Sequence, residues 1–462
     1  MGKSPDLRPF FEPRGIVLVG ATRTPGFGYG IPLSMRRHGW DDRLFLVNPR
    51  GGELHGMPVY GSVAEVPGPA DLAVVIVPAV SVPGVLEEIG ERGIRHAVVE
   101  SAGFAEAGED GRLLQEKALQ AARKNGIRVI GPNCVGVVNT ANRLATVEVL
   151  EEAMTPGGVS LIAQSGVFGN ILLDTLYERG LHISKAVTLG NRMDVNECDV
   201  LEYLGEDAET KVIALYLEGA ADGRRLLRTL RRVTRKKPVL VLKSGRTGPG
   251  REAAASHTAS MAGEDRLYGA ALGQGGALRV ETLDELLAAA STIARLPAPG
   301  GKRLGIVTSS GSLGVLATDV AVRKGLELPP LPDEVKGELS GSVPAWMNLR
   351  NPLDVGPSPY FATALRAMLA SPEVDMVLAV TVIPYAVLRE WEPLGMDAKA
   401  WFGDIASLRE ESPCKPLAVC AVGNSAFVRH MRETVGPRVP VLTSPETAAR
   451  AMALLCGSRR PS

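Results

Sequence analysis

The chain has 462 residues, with 51 basic and 51 acidic side chains. At roughly 150 residues per domain this suggests about three domains, long enough to bury several cores without disulfide or metal staples. The zero formal net charge removes the electrostatic case for nucleic acid, 45% hydrophobic residues exclude a disordered chain, and five cysteines without a CxxC pair exclude a disulfide scaffold or zinc ribbon. A reducing compartment follows from that cysteine usage. Residues 1–15 lack the apolar core of a signal peptide, and the most apolar stretch, Ala70–Pro83, is short for a bilayer and contains proline. A soluble cytoplasmic protein without membrane contact is the expectation.

Short apolar runs alternate with helical patterns from the start of the chain. The first series predicts strands at Gly15–Gly20, Leu44–Asn48, Leu72–Val77, His96–Glu100 and Ile127–Ile130, with helices at Val82–Arg92 and Gly111–Asn125. The runs are continuously apolar, as parallel strands covered on both faces require. A doubly wound domain over residues 1–145 is predicted. A second series, at Val159–Ala163, Ala186–Leu189, Val212–Leu217, Pro238–Leu242 and Ala277–Val280, fills a domain over 146–298 and ends near the turn-rich Leu296–Lys302. A third, at Leu304–Thr308, Met376–Val382, Leu417–Ala421 and Val439–Leu442, fills 299–462.

In the first series, strand Gly15–Gly20 runs into a glycine-rich turn, Ala21–Gly30, and then a helix. Free N–H groups and a positive dipole end suit an anion there. The spacing is not GxGxxG, and the second strand ends Asn48-Pro49-Arg50 rather than in an acidic residue. An arginine at that position suits a ribose phosphate, which coenzyme A and NADP both carry; a tight turn without ligand is the plain alternative. The loops at Val77-Pro78, Ser101–Phe104 and Gly131–Gly136 follow other strands and are expected to wall the same cleft. Cys134, with no histidine near it in sequence, reads as a buried inert thiol.

Two strand–turn–helix units repeat one design. Ser165-Gly166 follows Val159–Ala163, and Ser310-Gly311 follows Leu304–Thr308. Each helix start is an anion site in principle, and each alone is a common α/β turn. Between them, Lys243–Ser260 is rich in glycine and small residues and carries His257. The small flanks leave the imidazole accessible, the glycines suggest a mobile loop, and a neutral imidazole is a competent nucleophile toward phosphorus. A polar loop histidine is the simpler alternative. Glu218, ending Val212–Leu217, could fix the imidazole tautomer or merely end a strand in solvent. The eight basic residues of Arg224–Lys237 read as a solvated helix face.

Taken together, Leu18–Thr22, Val47–Gly51, Ser101–Phe104, Gly131–Cys134, Ala163–Gly166, Leu189–Arg192, Tyr216–Gly219, Ser256–Thr258 and Asn351–Asp354 make the chain resemble the NDP-forming acyl-CoA synthetases. Within these it is similar to the alpha subunits of ADP-forming acetyl-CoA synthetase, relatives of succinyl-CoA ligase. The resemblance implies an α/β chain with an N-terminal Rossmann-like CoA-binding domain and two flavodoxin-like, succinyl-CoA-ligase-like domains. It implies that acyl-CoA, ADP and phosphate give acid, CoA and ATP reversibly, through an acyl phosphate and phosphohistidine. His257 would carry the phosphoryl group and Glu218 would hold its second nitrogen. Gly20, Ala21, Thr22, Arg50, Pro78, Ser101 and Asn133 would line the CoA site. Ser165, Gly166, Ser310 and Gly311 would offer two helix starts to phosphate.

Neither an ATP-grasp segment nor a GxxxxGK[ST] loop occurs in the sequence. The resemblance therefore implies ADP/ATP and magnesium on a separate ATP-grasp beta subunit, within a hetero-oligomer that acts on a small carboxylic acid and its acyl-CoA. Three positions depart from the pattern: Ala259 stands where glycine usually follows His-Thr, Arg50 replaces lysine, and the third-domain turn is richer in serine. Two alternatives stay open on the residues alone. One is an NADP-dependent oxidoreductase, which makes no use of His257; the other is a non-catalytic acyl-CoA sensor, suggested by Ala259.

Overall fold

The computed structural model describes residues 6–258, 264–340, 343, 347, 349–356 and 358–458, with the backbone alone at 167–171, 254–258 and 334. The chain divides into two compact units, Met1–Glu281 and Thr282–Ser462.

The first unit holds two sheets. In one, β1 (Ile16–Val19), β2 (Leu44–Val47), β3 (Gly52–Leu54), β4 (Met57–Tyr60), β5 (Leu72–Val75), β6 (His96–Val99) and β7 (Arg128–Ile130) lie in the order β3-β4-β2-β1-β5-β6-β7. All pairings are parallel except β3 with β4. Every residue of β1 and β5 is buried, which is why these segments read as unbroken apolar runs. The helix Val82–Glu91 turns Leu86 and Ile89 inward, and Glu109–Lys124 turns Ala118, Ala121 and Ala122 inward. That is the 3.6-residue period at work.

In the other sheet, β8 (Val137–Asn139), β9 (Leu144–Ala145), β10 (Val159–Ala163), β11 (Ile183–Thr188), β12 (Val212–Leu217), β13 (Val239–Lys243) and β14 (Leu278–Val280) take the order β14-β13-β12-β10-β11-β8-β9. The hairpin β8–β9 joins this sheet antiparallel to β11, although it precedes residue 145. β11 begins three residues before the predicted strand because Lys185 interrupts the apolar pattern. Its ammonium is buried and bonded to Asp207 at 2.9 Å and Glu209 at 3.2 Å, so the strand tolerates it. One hydrophobic cluster runs from Phe10, Phe11 and Trp40 through Ile130 and Val137 to Val195 and Ile213, so the two sheets share a core.

The second unit holds β15 (Leu304–Thr308), β16 (Leu353–Asp354), β17 (Met376–Thr381), β18 (Leu417–Ala421) and β19 (Val441–Leu442), all parallel in the order β16-β15-β17-β18-β19. Alternate residues face two cores. Val377 and Ala379 enter one, and Met376, Leu378 and Val380 enter the other. Helix Leu283–Arg295 packs on Pro445–Gly457 within this unit. Its N-terminus is capped by Thr282, whose hydroxyl accepts the Glu285 N–H at 3.1 Å.

The segment expected to be a mobile glycine loop differs. Gly248–Thr258 is an α-helix. Thr247 accepts the Gly250 N–H at 3.2 Å, Pro249 occupies a position that needs no donor, and Ala253–Ala255 are strong helix formers. His257 is its penultimate residue, and its side chain and Ala259 lie outside the described residues. Among the described residues, no helix is long and apolar enough to cross a membrane, and no group of three or more His, Cys, Asp or Glu could hold a metal ion.

Candidate active site

The carboxyl ends of β1, β2, β5, β6 and β7 carry the predicted CoA loops. Gly20 is held at φ +100°, its N–H on Val47 O at 2.9 Å; a Cβ there would lie 2.1 Å from Ile76 O, so only glycine fits. Asn48 ties the first two loops together. Its amide donates to Ala21 O at 3.0 Å, and its carbonyl oxygen accepts the Arg50 N–H at 3.0 Å. Thr22 accepts the Thr24 N–H at 3.1 Å, closing the turn. Arg50 and Pro78 are exposed, available to a ligand that runs along the surface.

Ser101 is buried. It accepts the Val77 N–H at 3.2 Å, and its own backbone oxygen accepts the Asn133 N–H at 3.0 Å. Asn133 sits in the left-handed region at φ +59°.

On the second sheet, Ser165 follows β10 and is buried, and Gly166 caps the helix Val167–Glu178. Glu218, 3% exposed, follows β12. Its N–H donates to Gln164 Oε1 at 2.7 Å. Lys243, at the end of β13, is buried with its ammonium 4.7 Å from the centre of the Tyr268 ring. Burial holds its pKa below the ordinary lysine range; Asp265 and Glu218 oppose that shift and Arg279 adds to it.

These two sides meet. A cavity of about 460 Å³ is lined by Ser101 and Asn133 from the first sheet and by Gln164, Ser165 and Gly166 from the second, with Phe27, Glu100, Ala102, Cys134 and Val135 completing it. Gly20, Ala21, Thr22, Arg50 and Pro78 are not among its lining residues. Ser310 and Gly311 belong to the second unit, at the carboxyl end of β15. A Cβ on Gly311 would meet Asp354 Oδ2 at 2.6 Å, so a carboxylate already stands beside that helix start. The expected pairing of Glu218 with His257 involves a side chain outside the described residues.

Sequence reasoning missed Glu100. It is 3% exposed, and neither carboxyl oxygen has a hydrogen-bonding partner among the described residues. Burial, then the nearby Glu148 charge, pushes its pKa well above the ordinary carboxylate value. Its carboxyl therefore holds its proton to higher pH than an ordinary carboxylate, at the edge of the cavity. The only signal was its place at the end of a predicted strand. Cys134 is buried, its thiol bonded to Val99 O at 3.3 Å, and burial followed by Glu100 raises its pKa well above the ordinary thiol value. An inert thiol is what the sequence predicted.

Loops at the strand ends of the first sheet and the turn after β10 thus border one cavity, and comparison with known proteins defines the class as CoA ligases. A CoA binding domain model matches residues 14–140, and a succinyl-CoA ligase like flavodoxin domain model matches residues 156–293. The chain is 35% identical over 457 residues to the alpha subunit of ADP-forming acetate–CoA ligase I of Pyrococcus furiosus, covering 97% of each. It is 37% identical to the alpha subunit of ligase II of the same organism, covering 96% of this chain and 95% of that one. The solved acetyl-coenzyme A synthetase 1 of Ca. Korarchaeum cryptofilum, in complex with phosphate and ADP, superposes with a TM-score of 0.86 at 31% identity, over 98% of this chain and 97% of that one. The chain belongs to the family of ADP-forming acetate–CoA ligase alpha subunits. These comparisons support neither the nicotinamide reading nor the sensor reading.

Proposed function

We propose that the chain is the alpha subunit of an ADP-forming acyl-CoA synthetase, an acid–thiol ligase. The observation that carries this reading is the single cavity shared by Ser101 and Asn133 with Ser165 and Gly166. A thioester delivered along the first sheet meets a phosphate held at the helix start of the second.

The chemistry then runs in three steps. A phosphate oxygen attacks the thioester carbonyl, the C–S bond breaks, and CoA leaves as a thiolate that takes up a proton. The acyl phosphate remains, with its charge facing the Ser165–Gly166 helix start. A ring nitrogen of His257 attacks phosphorus, and the free carboxylate leaves; Glu218 holds the other ring nitrogen and stabilises the cation as it forms. The phosphoryl group then passes to ADP. That nucleotide, with magnesium, belongs to an ATP-grasp beta subunit, so the working enzyme is a cytoplasmic hetero-oligomer.

In this reading residues 1–145 bind CoA, 146–298 carry the phosphohistidine, and 299–462 form the second ligase-like domain. Gly20, Ala21, Thr22, Arg50 and Pro78 hold the outer part of CoA. Acetate is the first acid to test.

The test uses the chain together with its beta subunit. Acetyl-CoA and labelled phosphate are expected to leave acid-labile label on His257, and ADP then removes it as ATP. The isolated chain is expected to take the label without forming ATP. Absence of label on the wild-type complex, or label that survives His257→Ala, overturns the proposal.

A further inference from the structure

Gln164, Arg192 and Glu197 have no role in the reading above, yet their side chains form a buried polar cluster under the loop that begins at Glu218. Gln164 is 1% exposed and Glu197 2%. The Gly219 carbonyl accepts the Gln164 amide at 2.7 Å and the Arg192 guanidinium at 2.7 Å, filling both its lone pairs. Gln164 Oε1 accepts the N–H groups of Glu218 at 2.7 Å and Gly219 at 3.0 Å. Glu197 Oε2 accepts from Arg192 at 3.2 Å and Gln164 at 3.5 Å, balancing the buried guanidinium. The backbone from Glu218 to Gly219 is thus held at three atoms by two side chains.

The cluster is anchored at both ends of the cavity. Gln164 directly precedes Ser165, so whatever fixes Gln164 also fixes the phosphate turn. Arg192 sits in the left-handed region at φ +58°, in a turn docked on the CoA wall. Asn191 donates its N–H to Pro132 O at 2.8 Å, and Met193 donates its N–H to Gly131 O at 3.0 Å. The Asn191 amide reaches Glu106 Oε2 at 2.5 Å, and Glu106 Oε1 accepts the Gly103 N–H at 2.7 Å. Arg192 therefore has its backbone on the CoA side and its charge on the Glu218 side.

We propose that Arg192 and Gln164, balanced by Glu197, are positioning residues that set the carboxylate of Glu218 relative to both the Ser165 helix start and the CoA wall. Glu218 needs this because a carboxylate orienting an imidazole is effective only within a narrow range of geometry. The inference rests on the proposed roles of Glu218 and His257.

The test is single-turnover labelling of His257 in the complex, from acetyl-CoA and labelled phosphate, across pH 5.5–8.5. Arg192→Met is expected to slow labelling at least tenfold and to shift the acid limb of the pH–rate profile, since a displaced Glu218 no longer fixes the imidazole's protonation. CoA affinity, read by calorimetry, is expected to stay within about threefold. Arg192→Lys is expected to restore part of the rate, because an ammonium still reaches one acceptor. If Arg192→Met fails to fold, Glu197→Gln reads the same effect away from the cavity lining, since it removes the charge that balances the Arg192 guanidinium.

Wild-type-like rates and an unshifted pH profile in whichever variant folds overturn this inference while leaving the ligase reading intact. Loss of CoA affinity in proportion to the lost rate also overturns it, because the cluster would then only support the wall. An unlabelled wild-type enzyme instead rejects the functional reading itself.

Discussion

Glu100 shows how a single residue's environment sets its chemistry. Nothing about a glutamate at the end of an apolar run distinguishes an ionised from a neutral carboxyl; that depends on its burial and on the charge of Glu148, which comes from a distant part of the chain. The sign of the consequence is fixed. A carboxyl whose folded pKa lies above its ordinary value of 4.5 keeps a proton that the unfolded chain has lost, so it costs stability as pH rises past that value. Glu100→Gln removes the penalty. It is expected to raise Tm at pH 8 and to gain little at pH 4.5. Scanning calorimetry at both values checks it; an equal gain at the two would mean that Glu100 is not the proton-binding group.

Elements were legible where their physics is local. β1, β5, β10 and β12 are apolar runs because both faces are covered, and the sequence displays that directly. Edge strands such as β3, with two of its three residues exposed, carry no such pattern. β11 was cut short because the ion pair that makes Lys185 tolerable involves residues more than 20 positions away. The turn after β11 was recognised as a motif, but its geometry was not. Gly190 has φ +56°, and a Cβ there would lie 2.1 Å from Pro132 O and 2.4 Å from Asn133 O. Backbone oxygens cannot swing aside as side chains do. Gly190→Ala is therefore expected to destabilise the chain by about 2–3 kcal/mol and to lower the urea midpoint. An unchanged midpoint would show that the two loops separate freely.

At the scale of the molecule, three series of strands and helices were readable, and two separate family models fall on the first two, over 14–140 and 156–293. The hydrophobic cluster shared by the first two sheets makes them one unit. The turn-rich segment near residue 298 looked like the natural linker, yet Ala288 and Leu296, before it, belong to a core of the second unit together with Leu304 and Met452. Burying a side chain such as Leu296 stabilises by about 1.5–3 kcal/mol, and the capped helix Leu283–Arg295 is packed against Pro445–Gly457. A fragment of residues 282–462 is therefore expected to fold and melt cooperatively, and a fragment of 299–462 to melt at lower temperature or aggregate. Circular dichroism melts of the two compare them directly; equal midpoints would place the boundary at the linker instead.

The amino-acid sequence alone determined the parallel α/β class, the candidate loops, and the residue types suited to CoA and phosphate, because propensity, hydrophobic period and motif spacing act between near neighbours. Only the tertiary structure decided that Ser101, Asn133 and Ser165 border one cavity, that Glu100 is buried beside them with its pKa raised, and that Arg192 reaches Gly219. Those outcomes depend on desolvation and on hydrogen bonds between groups tens of residues apart, terms that no local pattern encodes.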